Sequence, residues 1–408
     1  MSGGHVMPIH TPLSYDALRS AATDVLPWRD DARPRLARFL CARYEADDAL
    51  LLDSGTHALE MAIRLAARLI DGPPVVALPA FTCFDVATAA VGAGTAVALY
   101  DVNPHTLAPD LATLERVLGT GARIVVVSPL YGIPVDWDAI EACAERHEAI
   151  VIEDAAQGYG SEWNGRALGS LGRLSVLSFG RGKGWTGGGG GALLVRQDMG
   201  EALGPLSKVT PPESQSFTGF LGAAAQWTFG RPSLYGIPAS LPWLHLGETR
   251  YRDPEPMRGT SRAAAGVIER SFAIAAREVP LRRANARALI AQIAGVAVQC
   301  ATRAVRAVRP PANSTPGYLR LPILVRGGAA GLPDAQRAAQ LGIMGGYPST
   351  LGSLNAIRRR LDVRACRHWP GAEELARDLV TVPTHSLVTM QEREEQVRML
   401  CGERHPAG

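Results

Sequence analysis

The chain has 408 residues, with 42 Lys or Arg against 39 Asp or Glu, a net charge of +3, and 47% hydrophobic residues. That length supports one large domain or two, and the balanced charge argues against a nucleic-acid surface. The densest basic run, "AIRRRLD" at 356–362, reads as a solvated helix face. Six scattered cysteines without CxxC spacing point away from a zinc site or disulfide framework, so no metal is expected and a reducing cytoplasm suits the chain.

In chain order, the N-terminus "MSGGHVMPIHTPLSYDALRS" has neither a basic nor an apolar leader region, so no export signal is expected. The first half then alternates short apolar runs with helical patterns. "ALLLD" (49–53) leads into "ALEMAIRLAARLI", "PVVALPA" into "FDVATAAVGAG", "AVALYDV" into "DLATLERVL", and "RIVVVSP" into "DWDAIEACAERH", followed by "AIVIED". Apolar strands separated by amphipathic helices predict a mostly parallel sheet covered on both faces. "LSVLSF" and "ALLVR" read as two more strands around a glycine-rich stretch. The segment 201–257 is rich in Pro, Gly and aromatic residues and reads as a lid or subunit contact. Its most apolar part, 216–246, is broken by Arg231, Pro232, Pro238 and Pro242, so no membrane span is expected. From residue 258 the pattern restarts with a long helical region, two strands in "YLRLPILV" and "LVTVPTH", and helices in "DAQRAAQLG" and "QEREEQVRMLCG". The expected division is a large domain over 1–257 and a small C-terminal α+β domain over 258–408.

Three segments at strand ends carry the chemistry. In open α/β sheets, ligands bind beyond the carboxyl ends of the strands. "DSGTHALE" (53–60) puts Gly55 and Thr56 at a helix N-terminus, which suits a phosphate, although Ser54 or Thr56 as an ordinary cap explains it equally well. "VIEDAAQGYG" (151–160) ends a strand with Glu153 and Asp154. Asp154 either caps the next helix or faces a buried cation, with Glu153 on the opposite side of the strand. "LSFGRGKGWTGGGGGALLV" (177–195) holds Lys183, one of only two lysines beside 40 arginines; the other is Lys208. A phosphate contact would be served by arginine at least as well. Arginine cannot lose its proton and attack a carbonyl, and lysine can. A phosphate cradle, a buried carboxylate and a Schiff-base lysine are together the parts needed for pyridoxal 5′-phosphate (PLP).

The runs "SGTHALEMA", "PAFTCFDVATAAVGAGTAVALYDVNPHTL", "PLYGIPVDWDAIEACAERHEAIVIEDAAQGYGSEWNGRALGSLG" and "LSFGRGKGWTGGGGGALLV" resemble the DegT/StrS-type PLP-dependent sugar aminotransferases of fold type I. "WPGAEELARDLVTVPTHSLVTMQE" adds to the likeness. Coverage is near-continuous from about 50 to 196. The resemblance implies that Lys183 carries the cofactor as a Schiff base, with Asp154 at the pyridinium nitrogen and Gln157 near the phenolic oxygen. Ser178 would bind the phosphate with Gly55 and Thr56. It also implies a homodimer, an amino-acid donor such as glutamate or glutamine, and a keto-sugar, sugar nucleotide or similar polyhydroxylated ketone as acceptor. Two departures stand out. Cys83, beside Phe84, occupies the place where an aromatic residue often stacks on the ring. "RYRDPEPMRGTS" (250–261) lacks the asparagine through which a partner subunit reaches the phosphate. A PLP sugar dehydratase, whose relatives replace the lysine with histidine, and a non-catalytic scaffold are the alternatives.

Overall fold

The computed structural model describes residues 5–24, 30–196, 199, 211–214, 216–231, 234–236, 249–297, 305–362 and 367–402. Lys208, Cys300, Cys366 and most of 201–248 lie outside these residues. Two N-terminal helices, α1 (Tyr15–Asp24) and α2 (Ala32–Tyr44), precede the sheet. Asp31 caps α2, accepting from the Arg33 N–H at 3.0 Å.

The main sheet contains β1 (Asp48–Leu52), β2 (Val75–Pro79), β3 (Ala96–Tyr100), β4 (Ile124–Val127), β5 (Ile150–Asp154), β8 (Leu174–Ser178) and β9 (Gly191–Val195). Their spatial order is β1-β9-β8-β5-β4-β2-β3. Every pairing is parallel except those of β9, which runs antiparallel to both β8 and β1. The reversal has a simple cause. The residues 179–190 between β8 and β9 form a loop with no helix to cross over the sheet, so the chain turns back beside β8. β1 therefore still points the same way as the parallel strands. The helices α3 (Gly55–Ala67), α4 (Phe84–Ala93), α5 (Leu111–Gly119) and α6 (Trp137–Glu145) supply the other connections.

Both faces of the sheet are buried, which is why the strands read as unbroken apolar runs. Val76, Leu78, Ile124 and Val126 pack into one cluster with α3 and α4, while Ala77, Ala98, Val125 and Val127 pack into another with α2, α5 and α6. Two short strands, β6 (Glu162–Trp163) and β7 (Arg166–Ala167), form a small sheet with β11 (Ser314–Thr315) that the apolar pattern does not reveal.

Beyond α7 (Ser216–Phe229), the helix α8 (Arg262–Ala297) spans 36 residues and packs on α1, α2 and α7. A four-stranded antiparallel sheet follows in the order β10-β12-β14-β13, from Val305–Ala307, Leu321–Val325, Leu379–Val382 and Met344–Gly345. The architecture is α/β with a mostly parallel sheet and a smaller α+β part at the C-terminal end.

Candidate active site

The carboxyl ends of β1, β2, β4, β5 and β8 converge on one cavity. Gly55, Thr56, Asp154, Gln157, Ser178 and Lys183 all line it, so the three segments singled out at strand ends meet at one place. The convergence follows from the shared strand direction.

At the end of β1, Ser54 caps α3, its Oγ accepting from the His57 N–H at 3.1 Å. The Gly55 and Thr56 N–H groups then occupy the first turn, where a helix has no carbonyl to offer them. Glycine is required here by close approach: a β-carbon on Gly55 would lie 2.6 Å from Ser178 Cβ. The helix end and the Ser178 hydroxyl thus form one cradle. His57 adds charge beside it. Its Nδ1 meets Asp53 Oδ1 at 2.5 Å and its Nε2 meets the Glu255 carbonyl at 3.2 Å. Both partners accept, and the hydrogen bond to the Asp53 carboxylate raises the His57 pKa above the usual histidine value.

The two carboxylates ending β5 diverge. Asp154 faces the cavity, accepting from Ser128 Oγ at 2.8 Å and the Ala156 N–H at 3.2 Å. Burial pushes its carboxyl up, while the Lys183 charge and the Ser128 hydroxyl pull it down. Glu153 faces the other side of the sheet. It accepts from the N–H groups of Gly169 (2.6 Å), Leu171 (2.9 Å) and Gly172 (3.1 Å) and from Ser175 Oγ (2.7 Å). Its role is to hold that turn.

Lys183 sits in the β8–β9 loop, preceded by Gly182 at φ +74°, in the left-handed region. Two residues later Trp185 is buried, donating to the Ile268 carbonyl at 2.8 Å and packing edge-on against Phe179. The loop is therefore anchored on α8 just past the lysine. Gln157 is fixed from two sides: Oε1 accepts from the Tyr131 N–H at 2.9 Å, and Nε2 donates to Tyr347 Oη at 2.7 Å.

Residues 30–202 match the family model described as the DegT/DnrJ/EryC1/StrS aminotransferase family. The chain is 34% identical over 171 residues to the L-glutamine:2-deoxy-scyllo-inosose aminotransferase of Streptoalloteichus tenebrarius, covering 41% of this chain and 40% of that one. It is 34% identical over 145 residues to the UDP-N-acetyl-3-dehydro-alpha-D-glucosamine 3-aminotransferase of Acidithiobacillus ferrooxidans, covering 36% and 39%. The matches thus span about two fifths of these relatives' length. The sugar aminotransferase CalS13 of Micromonospora echinospora shares the fold, with a TM-score of 0.73 at 19% identity over 97% of this chain and 99% of that one.

Within this DegT-type fold, Cys83 rather than Phe84 lines the cavity, and Phe84 is buried in the core beside α3. Burial raises the Cys83 thiol to about 12, so it stays protonated. The segment 250–261 lies along its own chain: the Asp53 N–H donates to the Arg258 carbonyl at 3.0 Å, beside the His57–Glu255 contact. Sequence reasoning missed Tyr347, His57 and Thr11. The Asp53-His57 spacing of one helical turn was the available signal for His57. Tyr347 and Thr11 reach the site from distant segments and left none.

Proposed function

We propose that this chain is a PLP-dependent aminotransferase. It moves an amino group from an amino acid, glutamate or glutamine, to a keto-sugar, sugar nucleotide or similar polyhydroxylated ketone. The observation that carries this reading is that Lys183, Asp154 and the Gly55–Ser178 cradle line a single cavity. The residues fit the cofactor. The cradle offers helix N–H groups and a hydroxyl for a phosphate dianion, and the buried Asp154 is suited to a protonated ring nitrogen.

When bound, PLP supplies an electron sink for the charge that develops at the donor's Cα. The chain's own residues do the rest. The N–H groups of Gly55 and Thr56, with the Ser178 hydroxyl, would hold the phosphate. Asp154, oriented by Ser128, keeps the ring nitrogen protonated. Gln157, held between the Tyr131 N–H and the Tyr347 hydroxyl, would be the side chain toward the phenolic oxygen. The Lys183 amine is the nucleophile toward the aldehyde. As a free amine it would act as general base at the donor's Cα and, as acid, would deliver that proton to the cofactor's C4′. Cys83 offers a small apolar surface in place of an aromatic ring.

Further proposals rest on the same reading. Residues 1–257 form the cofactor-binding domain and 258–408 the small domain. The protein works as a homodimer in the cytoplasm. Leu221 and Phe229 on α7 are 48% and 42% exposed, which supports a subunit contact there. No helix among the described residues is long and apolar enough to cross a membrane.

Lys183→Arg tests the reading. It keeps the charge but not a deprotonatable amine. Borohydride should fix PLP covalently to the wild type and leave it dialysable from the variant. Turnover with glutamine or glutamate and a panel of keto-sugars should fall by several orders of magnitude. Retention of more than about a tenth of wild-type turnover, a barrier change below roughly 1.4 kcal/mol, would overturn the assignment.

A further inference from the structure

Between the anchors Phe179 and Trp185 the lysine loop has little to hold it. Gly180, Gly182 and Gly184 have no side chains, Arg181 is exposed, and the Lys183 N–H reaches the Gly180 carbonyl only at 3.4 Å. Two long-range hydrogen bonds reach this stretch among the described residues. Arg282 donates to the Gly184 carbonyl at 3.4 Å, and Thr11 Oγ1 donates to the carbonyl of Lys183 itself. Thr11 is buried and lies 172 positions from the lysine.

Thr11 ends a strap formed by residues 5–11, whose other end is fixed on the C-terminal part of the chain. The Val6 N–H donates to the Gln340 carbonyl at 2.7 Å, and His385 Nε2 donates to the Met7 carbonyl at 2.8 Å. Val6 and Met7 are buried, and both lie against Gly342. Midway, the Ile9 side chain approaches Gly182. The strap therefore spans from the Gln340–Gly342 turn and His385 to the main chain of the lysine.

We infer that Thr11 is a positioning residue for Lys183, fixing where the amine sits by fixing the lysine's main chain. The strap references that position to the C-terminal sheet. The inference rests on Lys183 being the reacting amine. A glycine-flanked lysine has several backbone states available, and one hydroxyl on its carbonyl selects among them. Reaction geometry is sensitive to displacements of this size.

The test compares Thr11→Val, which keeps the shape and removes the donor, with Thr11→Ser, which keeps the donor. Because the chain has only two lysines, Lys208 is an internal standard. Full-length cofactor-free protein is treated with an amine-reactive acylating reagent, and the Lys183:Lys208 labelling ratio is read by mass spectrometry. Thr11→Val should raise that ratio at least about threefold, and Thr11→Ser should restore it. In the PLP-loaded protein, Thr11→Val should lower kcat about tenfold, the effect of about one hydrogen bond, with donor and acceptor KM within twofold. Thr11→Ala gives the same comparison if the valine variant does not fold. A labelling ratio and kcat within twofold of wild type would overturn the inference. A serine variant that behaves like the valine one would also overturn it, because the effect would then belong to the methyl group. The labelling arm needs no cofactor. Failure of wild-type protein to bind PLP would therefore count against the proposed function and leave the Thr11 test intact.

Discussion

The cradle reading makes a quantitative demand on Gly55→Ala. The new β-carbon would lie 2.6 Å from Ser178 Cβ and 2.7 Å from Ser178 Oγ. Rotating the hydroxyl relieves the second contact but not the first, because Ser178 Cβ is fixed to strand β8. An ordinary carbon contact of about 3.5 Å then requires the helix end and the strand end to part by about 0.9 Å. Overpacking of this kind costs about 1–3 kcal/mol, offset by up to about 1 kcal/mol from the better helix propensity of alanine. Cofactor-free protein should therefore lose no more than about 3 kcal/mol in urea unfolding. The cofactor should suffer more. Parting the two ends misaligns the Gly55 and Thr56 N–H groups relative to the Ser178 hydroxyl. Losing two charge-assisted contacts at about 1.5 kcal/mol each weakens PLP binding about a hundredfold. Equilibrium dialysis against PLP reads this directly. Gly119→Ala is the control, since nothing lies within 4 Å of its added β-carbon at the end of α5. If Gly55→Ala binds PLP within about threefold of wild type, the Gly55–Ser178 pair is not the phosphate site.

Glu153→Gln should destabilise the protein by about 2–4 kcal/mol, because an amide turned toward four donors leaves at least one buried N–H unpaired. Its PLP content should stay at the wild-type level, and a loss of cofactor without a loss of urea midpoint would contradict the division of labour on β5. His385 is buried neutral, and burial lowers its pKa to about 4 from 6.5. The unfolded chain therefore takes up this proton first as pH falls. Stability is lost progressively from about pH 6.5 to about pH 4, by about 3 kcal/mol in full. His10 is shifted the same way by burial, and His57 the opposite way by Asp53. Urea unfolding at pH 7.5 and 5 should show a shallower dependence for His385→Gln than for wild type, and equal slopes would refute the assignment.

Much of the fold was legible because the sheet is buried on both faces. Runs such as "VVAL" at 75–78 and "IVVV" at 124–127 have no polar alternation to confuse with an exposed strand. The direction of β9 was not legible from its composition, which matches that of its parallel neighbours. It depended on the absence of a helix in the glycine loop. Lys183 stood out because the chain has only one other lysine, Lys208, beside 40 arginines, and a titratable amine is what lysine offers and arginine does not. Thr11 and Tyr347 carried no such signal. A threonine or tyrosine is ordinary at any loop position, and each acquires meaning only through a contact across 172 or 190 positions.

The pair ending β5 shows why residue type alone did not settle roles. Glu153 and Asp154 are adjacent, equally charged and both buried. Strand alternation sends them to opposite faces, but the donor inventory on each face decides their chemistry. Glu153 meets four protein donors, three on Oε2 and one on Oε1, which commit it to the turn at 169–172. Asp154 meets two, one on each oxygen, and lines the cavity that Lys183 shares. Its remaining acceptor capacity and its burial-raised carboxyl mark it as the group that a ligand cation would stabilise. On β5 the number of protein donors, more than burial, separates the acid that holds a turn from the acid left facing the cavity.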